Sequence, residues 1–526
     1  SSLRLESAPI SLLLKLFIIK MDTQGNSPQV SIDDYVRIAV VGNVDSGKST
    51  LVGVLTKNLL DDGRGSSRVR VFNFAHESET GRTSSIVQEI IGFDADGKQV
   101  VPDRFVQSKN KYWMEVAPKS KKIVSLVDLC GHEKYLKTTI LGLVGLVPDF
   151  VMIIVGSNLG LSKMTKEHLG IALALKIPFF IVMTKIDMVD EEIVKETTMQ
   201  ISKLMSTSVV NKKAILIKNC KSSVFKNLKE KLNDVEKVVA DLKNISIKKD
   251  DAKKTENHVP VIEIPSLEDE LLEKTVGMLM SETICPIFQI SSVTGEGINE
   301  LLRFFYLIKS RSKQSKIFGD QSAPIEFDVH ECFNVVGVGL VVSGLLKSGI
   351  VEVGSQMILG PDKDNGYKPV VVKSIHFNRM VVEKGHPGQF LCFNIKMLKK
   401  KEDITRAEFR KGMVLLDQRL SPKYAVGFQA EIAVLHHSTT IKVGYECVMH
   451  CGVIRQSVRI TNMDRELLRT GDNAIITFKF NYNQEYLKPD LPFLLREGRT
   501  KIVGRVTQVF YSDSAMPEDR SRQTKL

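Results

Sequence analysis

Between residue 36 and about residue 308 the chain repeats one pattern: a short apolar run, a loop, then a helical stretch. The runs lie at 36–41, 123–127, 150–155, 179–183 and 287–290, and are rich in Val, Ile and Phe. Such runs, uninterrupted by polar residues, predict strands buried on both faces of a parallel sheet. The last run leads into residues 298–305, whose apolar positions recur at helical spacing. The alternation predicts a doubly wound α/β domain. Residues 222–245 interrupt it. There Leu228, Leu232, Val235, Val239 and Leu242 recur three or four apart, which predicts an amphipathic helix with lysines on its other faces. The charged stretch 248–256 reads as a solvated loop or a disordered segment. The basic helix suits packing on the domain edge before contact with RNA or a partner.

After Gln321 the texture changes to alternating short segments between glycine turns, first at 333–344 and 351–359. A second such block runs from near Tyr424 to Phe510. Two β-barrels are expected, with a boundary near Leu420-Ser421-Pro422. The expected layout is an extension at 1–33, an α/β domain at 34–320 with a lysine-rich insertion at about 205–275, barrels at 321–420 and 421–512, and a polar tail at 513–526.

Composition narrows the class. A chain of 526 residues, 43% hydrophobic and 25% charged, fits a multidomain globular protein and excludes global disorder. The net charge of +12 suits a polyanionic partner, RNA or DNA, and equally a lysine-rich solvated surface. The seven cysteines are scattered and odd in number, which fits reduced thiols and a cytoplasmic protein. Cys447 and Cys451 flank His450, but no second pair at suitable spacing completes a metal site, and they read as ordinary strand or turn residues. Residues 12–19 are apolar but interrupted by Lys15, and fall short of the roughly 20 residues needed to span a bilayer. No small-residue cleavage site follows them. The first methionine is Met21, so residues 1–20 read as upstream translated sequence or a non-native extension. No membrane partner is expected.

Four motifs carry chemistry. Gly42-Asn43-Val44-Asp45-Ser46-Gly47-Lys48-Ser49 fits G-x-x-x-x-G-K-[ST] directly after a predicted strand. Its glycines let backbone N–H groups wrap phosphates, Lys48 neutralises β and γ oxygens, and Ser49 offers a hydroxyl to Mg²⁺. Thr50 then opens a helix whose positive end faces the same anion. Asp128-Leu129-Cys130-Gly131-His132 ends the second run. Asp128 there suits Mg²⁺, and the Gly131 N–H suits a γ-phosphate. Thr184-Lys185-Ile186-Asp187 follows the fourth run, where the Asp187 carboxylate suits guanine N1 and N2 and so selects GTP over ATP. Ser291-Ser292-Val293 follows the fifth, where backbone N–H groups suit guanine O6.

These strings resemble the motifs of translational GTPases, the class of elongation factors Tu and 1-alpha, over about residues 36–510. Gly81-Arg82-Thr83-Ser84-Ser85, the following Glu89–Asp94 string and the Asp128–Thr139 stretch are similar to the GTP-binding protein 1 and 2 family. The resemblance implies an α/β P-loop GTPase domain followed by two all-β barrels. It implies GTP and GDP as ligands, Mg²⁺ held with help from Thr83, an attacking water positioned by His132, and a monovalent cation near Asp45. It also implies the ribosome and tRNA as partners. Three positions depart from the elongation factors. Cys130 replaces a proline, Arg82 replaces an apolar gate residue, and Thr184 replaces the asparagine of N-K-x-D. Threonine cannot reproduce both amide bonds, so guanine preference is expected to survive on Lys185 and Asp187 with looser loop anchoring. Arg496, Arg499 and Lys501 suit RNA phosphates, and equally charge pairs at strand edges or between domains. Two functional readings follow: a ribosome-associated GTPase that engages tRNA or a stalled ribosome, or a GTP-dependent module that recruits proteins such as RNA-decay factors without carrying tRNA.

Overall fold

The computed structural model describes residues 35–72, 77, 83–102, 109–217, 262–264, 269–281, 283–311, 318–335, 338–398, 409–410, 412–498, 500–512 and 516–517. The expectations for the N-terminal extension, the helix at 222–245 with its lysine-rich loop, Arg82, Arg499 and most of the tail lie outside those residues.

The five apolar runs form strands. They are β1 (Tyr35–Gly42), β4 (Lys122–Asp128), β5 (Phe150–Gly156), β6 (Phe179–Thr184) and β9 (Ile284–Gln289). Four further strands share their sheet: β2 (Val87–Phe93), β3 (Gln99–Val100), β7 (Lys213–Ile217) and β8 (Ile262–Ile264). The order across the nine strands is β3-β2-β4-β1-β5-β6-β9-β7-β8. β4, β1, β5, β6 and β9 run parallel, while β2 joins β4 antiparallel. The sequence pattern missed β2, β3, β7 and β8. In β2 the apolar run is broken by Glu89, which is buried and paired with Lys57 at 3.5 Å, a partner only the fold supplies. β7 and β8 are neighbours in the sheet, yet a long lysine-rich stretch separates them in the chain.

Eight helices among the described residues join or flank the strands: α1 (Lys48–Lys57), α2 (Ser66–Val69), α3 (Lys109–Lys119), α4 (Leu136–Gly145), α5 (Lys163–Ala174), α6 (Glu191–Met205), α7 (Asp269–Met280) and α8 (Ile298–Leu307). Because strand side chains alternate, each strand feeds two cores. Val36, Ile38 and Val40 pack with α1, α7 and α8, while Ala39 and Val41 pack with α4, α5 and α6. β1 is flanked by β4 on one side and β5 on the other. The chain therefore reverses its winding at β1, and the loops leaving β1 and β4 open onto one crevice, where doubly wound sheets bind ligands.

Two barrels follow. The first closes through Glu326–Val335, Gly339–Ser348, Phe390–Met397, Lys368–Phe377, Gln356–Gly360 and Val414–Asp417. The second closes through Ala425–His436, Asn473–Phe480, Ile454–Met463, Glu446–Cys451, Pro492–Glu497 and Thr500–Tyr511. Closure removes the exposed strand edges that an open sheet would present. Cys447 and Cys451 are buried on one strand of the second barrel. Both barrels pack on the α/β domain. Tyr35, Tyr112 and Trp113 join the core of the first, and Leu494 of the second packs among residues of α4 and α5. Lys501 pairs with Glu167 of α5 at 2.8 Å, an inter-domain ion pair. Among the described residues no helix is long and apolar enough to cross a membrane.

Candidate functional site

The chain turns from β1 into α1 through residues 43–47, with Asp45 at φ 58° and Gly47 at φ 85°. Consecutive left-handed and right-handed residues gather N–H groups into an anion-binding nest. Lys48 is buried, and its ammonium donates to the Asn43 carbonyl at 2.6 Å. Burial lowers its pKa, while Asp128, Cys130 and Asp45 oppose that shift. A polyanion would satisfy this charge better than the loop does.

Ser49, Thr83 and Asp128 come together beside it. The Ser49 hydroxyl donates to Asp128 Oδ2 at 2.6 Å and lies 2.7 Å from Thr83 Oγ1. Asp128 is completely buried, and its Oδ1 has no hydrogen-bond partner among the described residues. Burial pushes its pKa up to about 6, against Lys48 and the Ser49 and Thr83 hydroxyls. Two hydroxyls and a carboxylate with one orphaned buried oxygen form a hard donor set that suits Mg²⁺.

Thr83 is held there by a group that no sequence motif marks. Glu77 is completely buried. Its Oε1 accepts from the N–H and hydroxyl of Ser84, at 2.7 and 2.9 Å, and from those of Ser85, at 3.1 and 3.0 Å. The Cys130 thiol donates to the Ser85 carbonyl at 3.5 Å, and burial pushes its pKa up to about 12. Where elongation factors carry proline, this chain thus places a neutral thiol that tethers the Thr83 segment. Gly131 sits so close to the phosphate loop that a Cβ would collide with the Lys48 amine and lie 2.7 Å from the Gly42 carbonyl. His132 caps the 3₁₀ turn Glu133–Tyr135, and its Nδ1 accepts from Lys134 N–H at 3.0 Å. In the neutral ring that leaves Nε2 as the N–H donor.

Val44, Asp45, Gly47, Lys48, Ser49, Thr50, Thr83, Gly131 and His132 line one open cleft, together with Arg68, which no sequence motif contains. Asn43 and Ser46 belong to the same loop, where Ser46 donates to the Asn43 carbonyl at 2.8 Å.

The remaining predicted residues lie at the ends of β6 and β9, which are paired. Thr184 is buried, and its hydroxyl donates to the Ser46 carbonyl at 2.6 Å. The hydroxyl therefore ties this loop to the phosphate loop even without an asparagine. Lys185 adopts φ 60° and opens the 3₁₀ turn that carries exposed Asp187. Ser291 is buried, and its hydroxyl accepts from the N–H groups of Val293 and Thr294 at 3.2 and 3.0 Å. The Ser292 carbonyl accepts from Asp61 N–H at 2.9 Å. Asp61 is also absent from the sequence motifs, although an acidic residue ahead of Gly63 and Gly65 is a turn signal.

An anion-binding nest, an oxygen donor set that suits Mg²⁺ and a second loop pair tied to the nest, on a doubly wound domain followed by two barrels, fit a translation-factor-like GTP-binding protein. Residues 33–310 match the elongation factor Tu GTP binding domain family. The chain is 41% identical over 483 residues to GTP-binding protein 1 of Xenopus laevis, covering 92% of this chain and 64% of that protein's length. It is 35% identical over 477 residues to GTP-binding protein 2 of Homo sapiens, covering 90% of this chain and 69% of that one. The chain belongs to the GTP-binding protein 1 and 2 family. It is also similar in fold to a bacterial selenocysteine-specific elongation factor, with a TM-score of 0.56 at 16% identity over 90% of this chain and 58% of the other.

Proposed function

We propose that the chain binds GTP with Mg²⁺, hydrolyses it to GDP and phosphate, and uses the two states as a switch in cytoplasmic translation, engaging the ribosome and tRNA. The observation that carries this reading is the meeting of Ser49, Thr83 and Asp128 around one orphaned buried oxygen. Thr83 comes from a different segment from the other two, so the donor set exists only while that segment is folded inward. Loss of the γ-phosphate would remove a reason for Thr83 to stay. That is the chemical basis of a two-state element.

The residues divide the work. Residues 43–50 wrap the phosphates, Lys48 neutralises their non-bridging oxygens, and the Gly131 N–H senses the γ-phosphate. Asp187 and the N–H groups of residues 291–293 read guanine, and Thr184 fixes the distance between base and phosphate loops. Ser49, Thr83 and Asp128 would hold Mg²⁺, which would supply charge neutralisation beside the phosphates. Asp45, exposed in the phosphate loop, is assigned the monovalent cation. His132 donates from Nε2 and orients the attacking water rather than removing its proton, since Nδ1 is already occupied. Catalysis by positioning and charge is what phosphoryl transfer requires.

The ribosomal assignment draws on the likeness to elongation factors 1-alpha, on the two barrels and on the net charge of +12. Phosphate release from GTP by the full chain, with and without ribosomes, tests it. Slow turnover alone, on the order of 10⁻⁴ to 10⁻² s⁻¹, should rise with ribosomes and fall back in His132→Ala with GDP affinity retained. A chain that binds GTP but ignores ribosomes would lose the translational role. One that binds no GTP would lose the whole reading.

A further inference from the structure

We propose that Arg68 is a catalytic arginine supplied from within the chain to the terminal phosphates of GTP, and that Asp61 is its positioning residue. The inference rests on the GTPase reading above and extends it to residues outside every motif.

Arg68 lines the phosphate cleft with Lys48, Ser49, Thr83 and His132, whereas Lys185, Asp187 and Ser291 do not. It therefore faces the reacting end of the nucleotide rather than the base. The side chain is half-buried and folds back over Gly65, where a Cβ would lie 2.6 Å from its Nε. Gly65 stands at φ 90°, so glycine suits both the backbone and the guanidinium above it. Among the described residues the guanidinium forms no ion pair, which leaves its N–H groups available to an anion.

Its platform is braced from three directions. Asp61 Oδ2 accepts from the N–H groups of Gly63 and Gly65, both at 3.0 Å, and Oδ1 accepts from Ser67 N–H at 2.9 Å. The Asp61 N–H donates to Ser292 in the base loop. On α1, a Cβ on Gly53 would collide with the Ser67 carbonyl, so α2 lies directly against the phosphate-loop helix. A short segment that otherwise has the makeup of a mobile turn is thus fixed between base loop and phosphate loop. Charge developing at the β–γ bridging oxygen as that bond breaks would meet a planar, preorganised fork of N–H donors. Such a group acts mainly in the transition state.

Single-turnover hydrolysis at saturating GTP, with equilibrium affinities for GTP and GDP, tests this on the full chain. R68A should slow the step by about 10- to 1,000-fold while GDP affinity stays within about threefold. R68K should recover only part of the loss, since lysine lacks the fork. D61N should slow the step in the wild-type background and add nothing to R68A, a coupling that a merely structural role would not produce. An R68A chain at the wild-type rate overturns the inference alone. So does an equal loss of GTP and GDP affinity with the rate intact, or additive D61N and R68A effects. A wild-type chain that does not hydrolyse GTP overturns this inference together with the reading beneath it. Should R68A not fold, R68K and R68Q carry the same comparison, and wild-type rates in both overturn it.

Discussion

Glu77 is a completely buried carboxylate whose Oε1 gathers four donors from Ser84 and Ser85. That concentration explains why two hydroxyl residues directly follow Thr83. Alanine at either would strip a donor from a buried charge, a loss of about 1–3 kcal/mol. Glu77→Ala should free Thr83 from Ser49 and Asp128. We expect Mg²⁺-dependent GTP affinity to fall by about tenfold or more with GDP affinity little changed, measured by titration of a fluorescent nucleotide. Equal loss for both nucleotides would contradict the role given to Thr83. Thr184 makes the opposite prediction. Its hydroxyl holds the phosphate loop itself, so Thr184→Val should weaken GTP and GDP alike, by about five- to tenfold for a lost hydrogen bond of roughly 1 kcal/mol. These residues differ in how far the sequence revealed them. Lys48, Asp128 and Asp187 are legible because glycine spacing and strand ends fix what the backbone does beside them. Glu77, Asp61 and Arg68 act only through segments that meet in the fold, and no local spacing marks that meeting.

Elements show the same division. Strands made of unbroken Val, Ile and Phe were legible because their burial needs no partner identity. β2 was not, because its Glu89 becomes tolerable only beside Lys57. The joint between the barrels likewise includes a buried polar cluster. Arg410 donates to Glu485 Oε2 at 2.9 Å and to the Gln484 carbonyl at 2.7 Å, and Gln456 donates to Glu485 Oε1 at 2.5 Å. Burial pushes the Glu485 pKa up to about 7, against the pull of Arg410 and Gln456. A raised folded-state pKa means that the protonated carboxyl is the one favoured by folding. Its stabilising contribution is complete below about pH 4.5 and disappears as pH rises through 7. Wild type should therefore lose stability relative to Glu485→Gln between pH 5 and pH 8, by on the order of 3 kcal/mol. Denaturant melts at the two pH values measure it, and a pH-independent difference would show that Arg410 compensates the charge fully.

Across the whole molecule, the contact between the α/β domain and the first barrel holds the chain's single tryptophan. Trp113 is 2% exposed on α3, and packs with Tyr112 and Val116 into the barrel core. The barrel answers with a two-residue hairpin turn, Asn378 at φ 48° and Arg379 at φ 68°. Backbones of that hand match the twist of the strands they join, which makes the turn stiff. It carries Arg379 over the indole, with Cζ 5.1 Å from the ring centroid. Burial lowers the Arg379 pKa to about 10, with Glu89 opposing, so the cation is maintained at neutral pH inside the interface. Glu89 belongs to β2, the strand that follows the Thr83 segment, so a change at Thr83 has a covalent route to this contact. If release of the γ-phosphate frees that segment and loosens the barrel, Trp113 gains water and its emission moves to longer wavelength. The GDP form should then emit to the red of the form bound to a non-hydrolysable GTP analogue. Arg379→Ala should bring the two spectra closer by exposing the indole in both, and Trp113→Phe should abolish the signal. Superimposable spectra in the two nucleotide states would mean that the switch leaves this interface closed, with any domain movement carried instead by the second barrel through Leu494 and the Lys501–Glu167 pair.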